Sequence, residues 1–171
     1  RANHEKTGFR QVNDGAAEVL AAIVEEMAGS GGVLVDAYCG AGFFAKQLVN
    51  RFERIVGIDW DERSTSQART NANAKEVYFT GDTAELLPGI LSEHQPQVVL
   101  LDPPAQGIAP EVIDALFAAC APRIVYVSCD PATLARDIGK LSAHYALTRA
   151  VPVDMFPQTA SIETAAMLEK T

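Results

Sequence analysis

The chain has 171 residues, 48% hydrophobic and 21% charged, which is enough apolar material to build one compact domain and excludes a disordered polymer. Its net charge of −8, from 14 Lys+Arg against 22 Asp+Glu, argues against a large nucleic-acid footprint made by these residues alone, because phosphate contacts draw on basic side chains. No apolar run reaches the ~20 residues that span a bilayer, the three cysteines form no CxxC pair, and the three histidines lack metal-binding spacing, so we expect a cytoplasmic domain with no membrane span and no metal.

In chain order, "NDGAAEVLAAIVEEMAG" reads as a helix capped by Asn13 or Asp14 and ended by Gly29. Short β-branched runs then alternate with helical patterns: "VLVDAY" (33–38), "RIVGID" (54–59), "EVYFTGD" (76–82), "QVVLLD" (97–102) and "RIVYVS" (123–128). Such alternation predicts a parallel sheet covered by helices on both faces. The last two segments, 145–156 and 161–170, are too close together for a right-handed crossover and should form an antiparallel pair. There are no repeats and no clear interior linker, so residues 1–171 read as a single α/β domain, with 1–30 leading into it.

After the first strand, "DAYCGAGFFAKQL" offers Gly40 and Gly42 for a tight turn, but position 45 is Ala where a dinucleotide fingerprint has its third glycine. Asp59 lies about 20 residues past the glycines, where an acid can bind ribose hydroxyls. Asp36, Asp82 and Asp102 also fall at strand ends. Four carboxylates on one edge would repel a pyrophosphate but suit an adenosine and a sulfonium cation, which favours S-adenosylmethionine over NAD. Any one of these acids has a plainer explanation as a cap or turn residue.

The stretch "YVSCDPATLARD" puts Cys129 between a strand and a helix opened by Asp130 and Pro131. In a seven-stranded methyltransferase sheet of order 3-2-1-4-5-7-6 with strand 7 antiparallel, the start of the last strand returns to the same edge as Cys129. Neighbouring strands are about 4.8 Å apart, so Glu163 should face Cys129 across a substrate's width, beside Asp102. The helix amides favour a thiolate there, and Asp130 opposes them in part. A thiolate that adds to a ring carbon, together with a carboxylate that removes a proton from its neighbour, can methylate a carbon that is not itself nucleophilic, such as carbon 5 of uracil.

The segments "FRQVND", "DAYCGAGFF", "DPPAQG", "IVYVSCDPATLARD" and "VDMFPQTASIET" resemble, in this order and spacing, the RNA (uracil-5-)-methyltransferases that make 5-methyluridine in tRNA or ribosomal RNA. The resemblance implies a Rossmann-like class I fold, S-adenosylmethionine as cofactor, an RNA substrate and a monomer. It also implies Cys129 as nucleophile, Glu163 as the base, and Gln11, Tyr38, Gly40, Gly42, Asp59, Asp82 and Asp102 at the cofactor. Two departures stand out: Ser161 occupies a position where the family usually has histidine, and the family's N-terminal RNA-binding region is not in these residues.

Other residues carry two readings each. Cys39 and Cys120 read as packing cysteines. Arg136, Lys140 and Arg149 suit phosphate contacts or a solvated helix face. Trp60 suits either an adenine wall or a cover for the sheet end. Two rival functions stay open on the residues alone, a methyltransferase that forms no covalent adduct and a non-catalytic cofactor- or RNA-binding module.

Overall fold

The computed structural model describes residues 14–155 and 162–171; Gln11, Asn13 and Ser161 therefore lie outside the described residues. The elements run α1 (Asp14–Ala28), β1 (Gly31–Ala37), α2 (Phe43–Leu48), β2 (Phe52–Asp59), α3 (Glu62–Thr70), β3 (Glu76–Thr80), α4 (Thr83–His94), β4 (Val98–Leu101), α5 (Pro110–Ala119), β5 (Arg123–Ser128), α6 (Pro131–Leu141), β6 (Tyr145–Asp154) and β7 (Ile162–Lys170). Each strand expected from sequence is present. The differences are at the ends: Tyr38, Asp82 and Asp102 lie just beyond β1, β3 and β4 rather than within them.

The strands form one seven-stranded sheet of order β3-β2-β1-β4-β5-β7-β6. β1 through β5 pair in parallel, whereas β7 runs antiparallel to both β5 and β6. This is the class I methyltransferase sheet, and its central strands are covered on both faces. Alternation within each strand divides the core in two. Val35, Val56, Val99, Ile124 and Ala166 join the cluster under α4, α5 and α6, and Leu34, Ile55, Leu100, Val125 and Ala165 join the cluster under α1, α2 and α3. Four consecutive buried residues in β4, Val98 to Leu101, are the signature of a strand with no solvent face.

Local chemistry sets the boundaries. Gly29 takes φ +71°, and its amide donates to Glu25 O at 3.1 Å to close α1. Asp61, Asp82 and Asp130 each cap the helix that follows, accepting from its first amides. Cys120 ends α5 with φ +52° and is exposed, which corrects the expectation that it packs in the core; Cys39 is buried as expected. Among the described residues no helix is long and apolar enough to cross a membrane.

Candidate active site at the carboxyl edge of the sheet

The parallel strands end on one edge, where open α/β sheets hold their ligands. The first wall is the turn after β1. Tyr38 adopts φ +67°, an uncommon conformation for a residue with a side chain, and lines both lobes of the cleft along this edge. One lobe, about 250 Å³, is bounded by Tyr38, Asp59, Trp60, Asp102 and Pro104. The other, about 230 Å³, includes Tyr38, Trp60, Asp82, Gly107 and Ala109. Trp60 is 76% exposed and borders both.

The glycine loop is held from behind by Tyr78. A Cβ on Gly42, which has φ +81°, would come within 2.8 Å of the Tyr78 hydroxyl, and one on Gly57 within 2.4 Å of its ring. The Gly40 amide donates to Asp59 Oδ2 at 2.8 Å, while the Asp61 amide donates to Oδ1 at 2.9 Å. These two bonds fix the plane of the Asp59 carboxylate and leave each oxygen a further lone pair for a hydroxyl donor. A Cβ at Gly40 would meet nothing within 4 Å, so the loop presents bare backbone there. A ribose with a neighbouring carbon chain fits such a cradle.

The other expected acids divide. Asp82 is exposed and spends one oxygen on the Ala84 amide at 2.7 Å, so it is a helix cap that also borders the cleft. Asp36 does not join the edge at all. It is fully buried, neither oxygen completes a hydrogen bond, and the Ala45 amide gives only partial support, so burial and the nearby Asp102 hold its carboxyl well above the usual carboxylate range. Of the four expected strand-end acids, three, Asp59, Asp82 and Asp102, remain on the edge.

Asp102 and Pro104 begin the loop after β4. Solvent reaches the Asp102 carboxylate from the open side of the cleft, but protein surrounds the rest of it, and burial with Glu163 and Asp59 nearby lifts it to about 7. Across the cleft, β5 and β7 pair up to Ser128 with Thr164, so the next residues along each strand, Cys129 and Glu163, continue that register. Cys129 is exposed. Burial of its sulfur and the adjacent Glu163 raise its thiol, and burial raises the Glu163 carboxyl. The expected thiolate stabilisation by the α6 amides is not realised, because Asp130 already accepts from Ala132 and Thr133 at 3.3 Å each. Cys129 is therefore a thiol at rest, with three carboxyl groups, Glu163, Asp102 and Asp130, within electrostatic reach.

Three basic residues expected as phosphate contacts or solvated charges are engaged in the protein. Arg149 pairs with Glu26 at 2.8 Å, Arg136 donates to Gln106 O at 2.7 Å, and Lys140 lies 3.9 Å from Asp137. Asp137, Tyr126 and Thr133, which sequence reasoning passed over, form the support beneath the site. The available signal was the i, i+3, i+4 spacing of Thr133, Arg136 and Asp137 on one helix face.

Comparison with known proteins identifies the family. The tRNA (uracil-5-)-methyltransferase family model matches residues 84–171, more than half of the chain, from the second residue of α4 past the end of β7. The chain belongs to this family. A second model, of RNA cap guanine-N2 methyltransferases, matches residues 31–112, the half that carries the glycine loop and Asp59.

Relatives of this uracil-5-methyltransferase family member include an uncharacterized RNA methyltransferase of Nitratidesulfovibrio vulgaris. It is 43% identical over 170 residues, which cover 94% of this chain and 36% of that protein. Another, from Gloeobacter violaceus, is 40% identical and is covered over 37% of its length. The chain thus spans little more than a third of the curated relatives it matches. Among solved structures, Pyrococcus abyssi tRNA (uracil-54, C5)-methyltransferase in complex with S-adenosyl-L-homocysteine superimposes with a TM-score of 0.81 at 31% identity, over 95% of this chain and 40% of that one. The N-methyltransferase NodS of Bradyrhizobium japonicum shares the fold, with a TM-score of 0.72 at 16% identity over 92% of this chain and 98% of that one.

Proposed function

We propose that the protein methylates carbon 5 of a uridine in tRNA or ribosomal RNA, using S-adenosylmethionine and a covalent adduct through Cys129. The observation that carries this reading is the meeting of Cys129 at the end of β5 with Glu163 at the start of the antiparallel β7, beside Asp102. Family membership supports the reaction type, and the Pyrococcus enzyme's bound S-adenosyl-L-homocysteine supports the cofactor.

Gly40, Gly42, Asp59 and Tyr38 would hold the ribose and the amino-acid chain of the cofactor, Asp82 its adenine, and Asp102 its cationic end; Gln11, assigned to the pocket by resemblance, lies outside the described residues. When bound, S-adenosylmethionine supplies an electrophilic methyl group on a sulfonium. Cys129, once its thiol has given its proton to solvent, would form a bond to uracil carbon 6 and push an electron pair to carbon 5. That carbon would take the methyl group as the methyl's bond to the sulfonium sulfur breaks and leaves S-adenosyl-L-homocysteine; the cysteine sulfur would regain a proton when it leaves. Glu163 then removes the carbon 5 proton, the double bond reforms, and the sulfur leaves. The net proton released is the one that carbon 5 carried. A base within a folded RNA must leave its stack to reach this thiol.

We place this chain as the catalytic domain of a cytoplasmic monomer whose main RNA-docking surface lies in sequence outside residues 1–171. The net charge of −8 and the greater length of the relatives support that division.

The match to guanine-N2 methyltransferases favours a second reading, transfer to an exocyclic amine without an adduct, but it stops before Cys129. RNA in which uridine is replaced by 5-fluorouridine separates the two. Fluorine cannot leave carbon 5 as a proton does, so with cofactor present the protein should become trapped on the RNA through Cys129. No adduct, or one that persists in Cys129→Ser, would overturn the reading.

A further inference from the structure

We propose that Arg136 and Asp137, assisted by Thr133, are positioning residues that clamp the loop 102–109 to the turn carrying Cys129 and so set the spacing between nucleophile and cofactor wall. This inference rests on the covalent reading above and extends it to residues that do not touch the reacting atoms.

Beyond Asp102, whose amide donates to Ala37 O of β1 at 3.3 Å, residues 103–109 pair with no strand, so their polar groups must be satisfied from elsewhere. Helix α6, which begins two residues after Cys129, provides this from one face. Arg136 Nη2 donates to Gln106 O at 2.7 Å, and the Ile108 amide donates to Asp137 Oδ2 at 3.0 Å. The single proton of the Thr133 hydroxyl lies between Ala105 O at 3.0 Å and the capping carboxylate of Asp130 at 2.5 Å. Thr133 therefore ties the loop to the residue next to Cys129.

Asp137 is the hub. It is fully buried, yet its oxygens accept from Tyr126 Oη at 2.8 Å, from Arg136 Nε at 3.0 Å and Nη2 at 2.9 Å, and from the Ile108 amide. A buried charge persists only with partners of this quality. Here they come from β5, α6 and the loop, and β5 and α6 flank Cys129. The fit leaves no slack: Gly107 has φ +81°, and a Cβ there would lie 2.2 Å from Asp137 Oδ2 and 2.5 Å from Arg136 Nη2. The clamped loop opens with Asp102 and lines the cleft through Pro104 and Gly107. Both walls of the reaction space are thus referred to one carboxylate.

A comparable guanidinium at the other end of β5 provides the control. Arg123 donates to Met27 O at 3.0 Å and to Glu169 at 2.8 Å, far from Cys129 along the strand. The test compares Arg136→Gln, Arg136→Lys and Thr133→Val with Arg123→Met, each in the protein with S-adenosylmethionine and a uridine-containing RNA substrate. Arg136→Gln should lower the single-turnover rate at saturating RNA and cofactor by ~10–100-fold with both apparent affinities within about threefold of wild type, and Arg136→Lys should recover part of the loss. Thr133→Val should lose less, and Arg123→Met should lower Tm with the rate unchanged.

A second readout needs no methyl transfer. Alkylation of Cys129 by iodoacetamide, referenced to the exposed Cys120, should rise about threefold or more in Arg136→Gln and stay constant in Arg123→Met, because only the former frees the Cys129 turn. If wild type methylates no uridine, the functional reading fails while the alkylation ratio still tests the clamp. An unchanged rate and ratio in Arg136→Gln, or losses that Arg123→Met reproduces at equal Tm, would overturn the clamp itself.

Discussion

At its amino end β5 begins with Arg123, whose charge is matched by Glu169 and whose Nη1 donates to Met27 O in the last turn of α1. At its carboxyl end the same strand delivers Cys129 to a place where Asp102, Glu163 and Asp59 gather without an opposing cation among the described residues. The first end neutralises its charge internally. The second accumulates like charge: burial raises Asp102, Glu163 and the Cys129 thiol, and neighbouring carboxylates push Asp102 and the thiol up further. An edge built to stabilise the fold would have paired these acids; leaving them unpaired costs stability unless a ligand brings the missing positive charge. The contrast separates the residues that hold the sheet from those left free to meet a ligand.

The sharpest way to break that contrast is to remove the thiol. Cys129→Ala should abolish 5-methyluridine formation, a loss of at least ~10³-fold, while Tm stays close to wild type because the side chain is exposed. Methylation that survives would make the carboxyl end of β5 as structural as the amino end. Glu163→Gln is expected to slow turnover by ~10²-fold and to accumulate the methylated protein–RNA adduct, seen as a slow-migrating band on a denaturing gel. Normal turnover without an adduct would take the base role away from Glu163.

Most of this architecture was readable from sequence, for physical reasons that differ by residue. The strands followed from β-branched runs bounded by polar turns, and the antiparallel β6–β7 pair from a connection too short to cross over. Cys129 and Glu163 could be placed opposite each other because sheet order and direction alone determine which strand ends meet. Burial was harder to read. Asp36 looks like Asp59 in a linear pattern, yet it sits one residue earlier relative to its strand end and points under the glycine loop. Asp130 was recognised as an opponent of the thiolate, but that it takes the α6 amides for itself depends on a side-chain rotamer. Arg136 looked like a free cation because its partners, Gln106 and Asp137, come from a distant loop and from a neighbour whose own burial is tertiary.

The acids make a graded prediction. Asp102 titrates near 7, so its attraction for a cationic cofactor is present above that value and is lost as pH falls through it. S-adenosylmethionine should bind about tenfold more weakly at pH 6 than at pH 8, and Asp102→Asn should flatten the profile; calorimetry at several pH values measures both. A flat profile in the wild type would remove Asp102 from the cationic end. Asp36 acts on stability instead. Its folded-state value is raised above that of the unfolded chain, so the folded protein binds more protons once the unfolded carboxyl ionises, and stability falls as pH rises above ~4 by about 1.4 kcal/mol per unit until the folded value is passed. Asp36→Asn should match wild type in Tm near pH 4 and exceed it once the pH rises above that.

The smallest expected effect tests the quiet end of β5. Replacing Arg123 with Met keeps the aliphatic stem that lies across the sheet edge, removes a half-exposed ion pair with Glu169, and leaves Met27 O without its donor. Half-exposed pairs contribute little, and most of the loss is the donor taken from Met27 O, so the cost is about 1 kcal/mol. In a chain of this size that is a fall of ~2–4 °C in Tm by thermal denaturation. Because Arg123 lies at the opposite end of the strand from Cys129, that loss should leave the methylation rate and its pH dependence where they were. A fall in rate beyond what the lower Tm explains would mean that strain travels the length of β5 to Cys129, and the two ends would have to be treated as one coupled element.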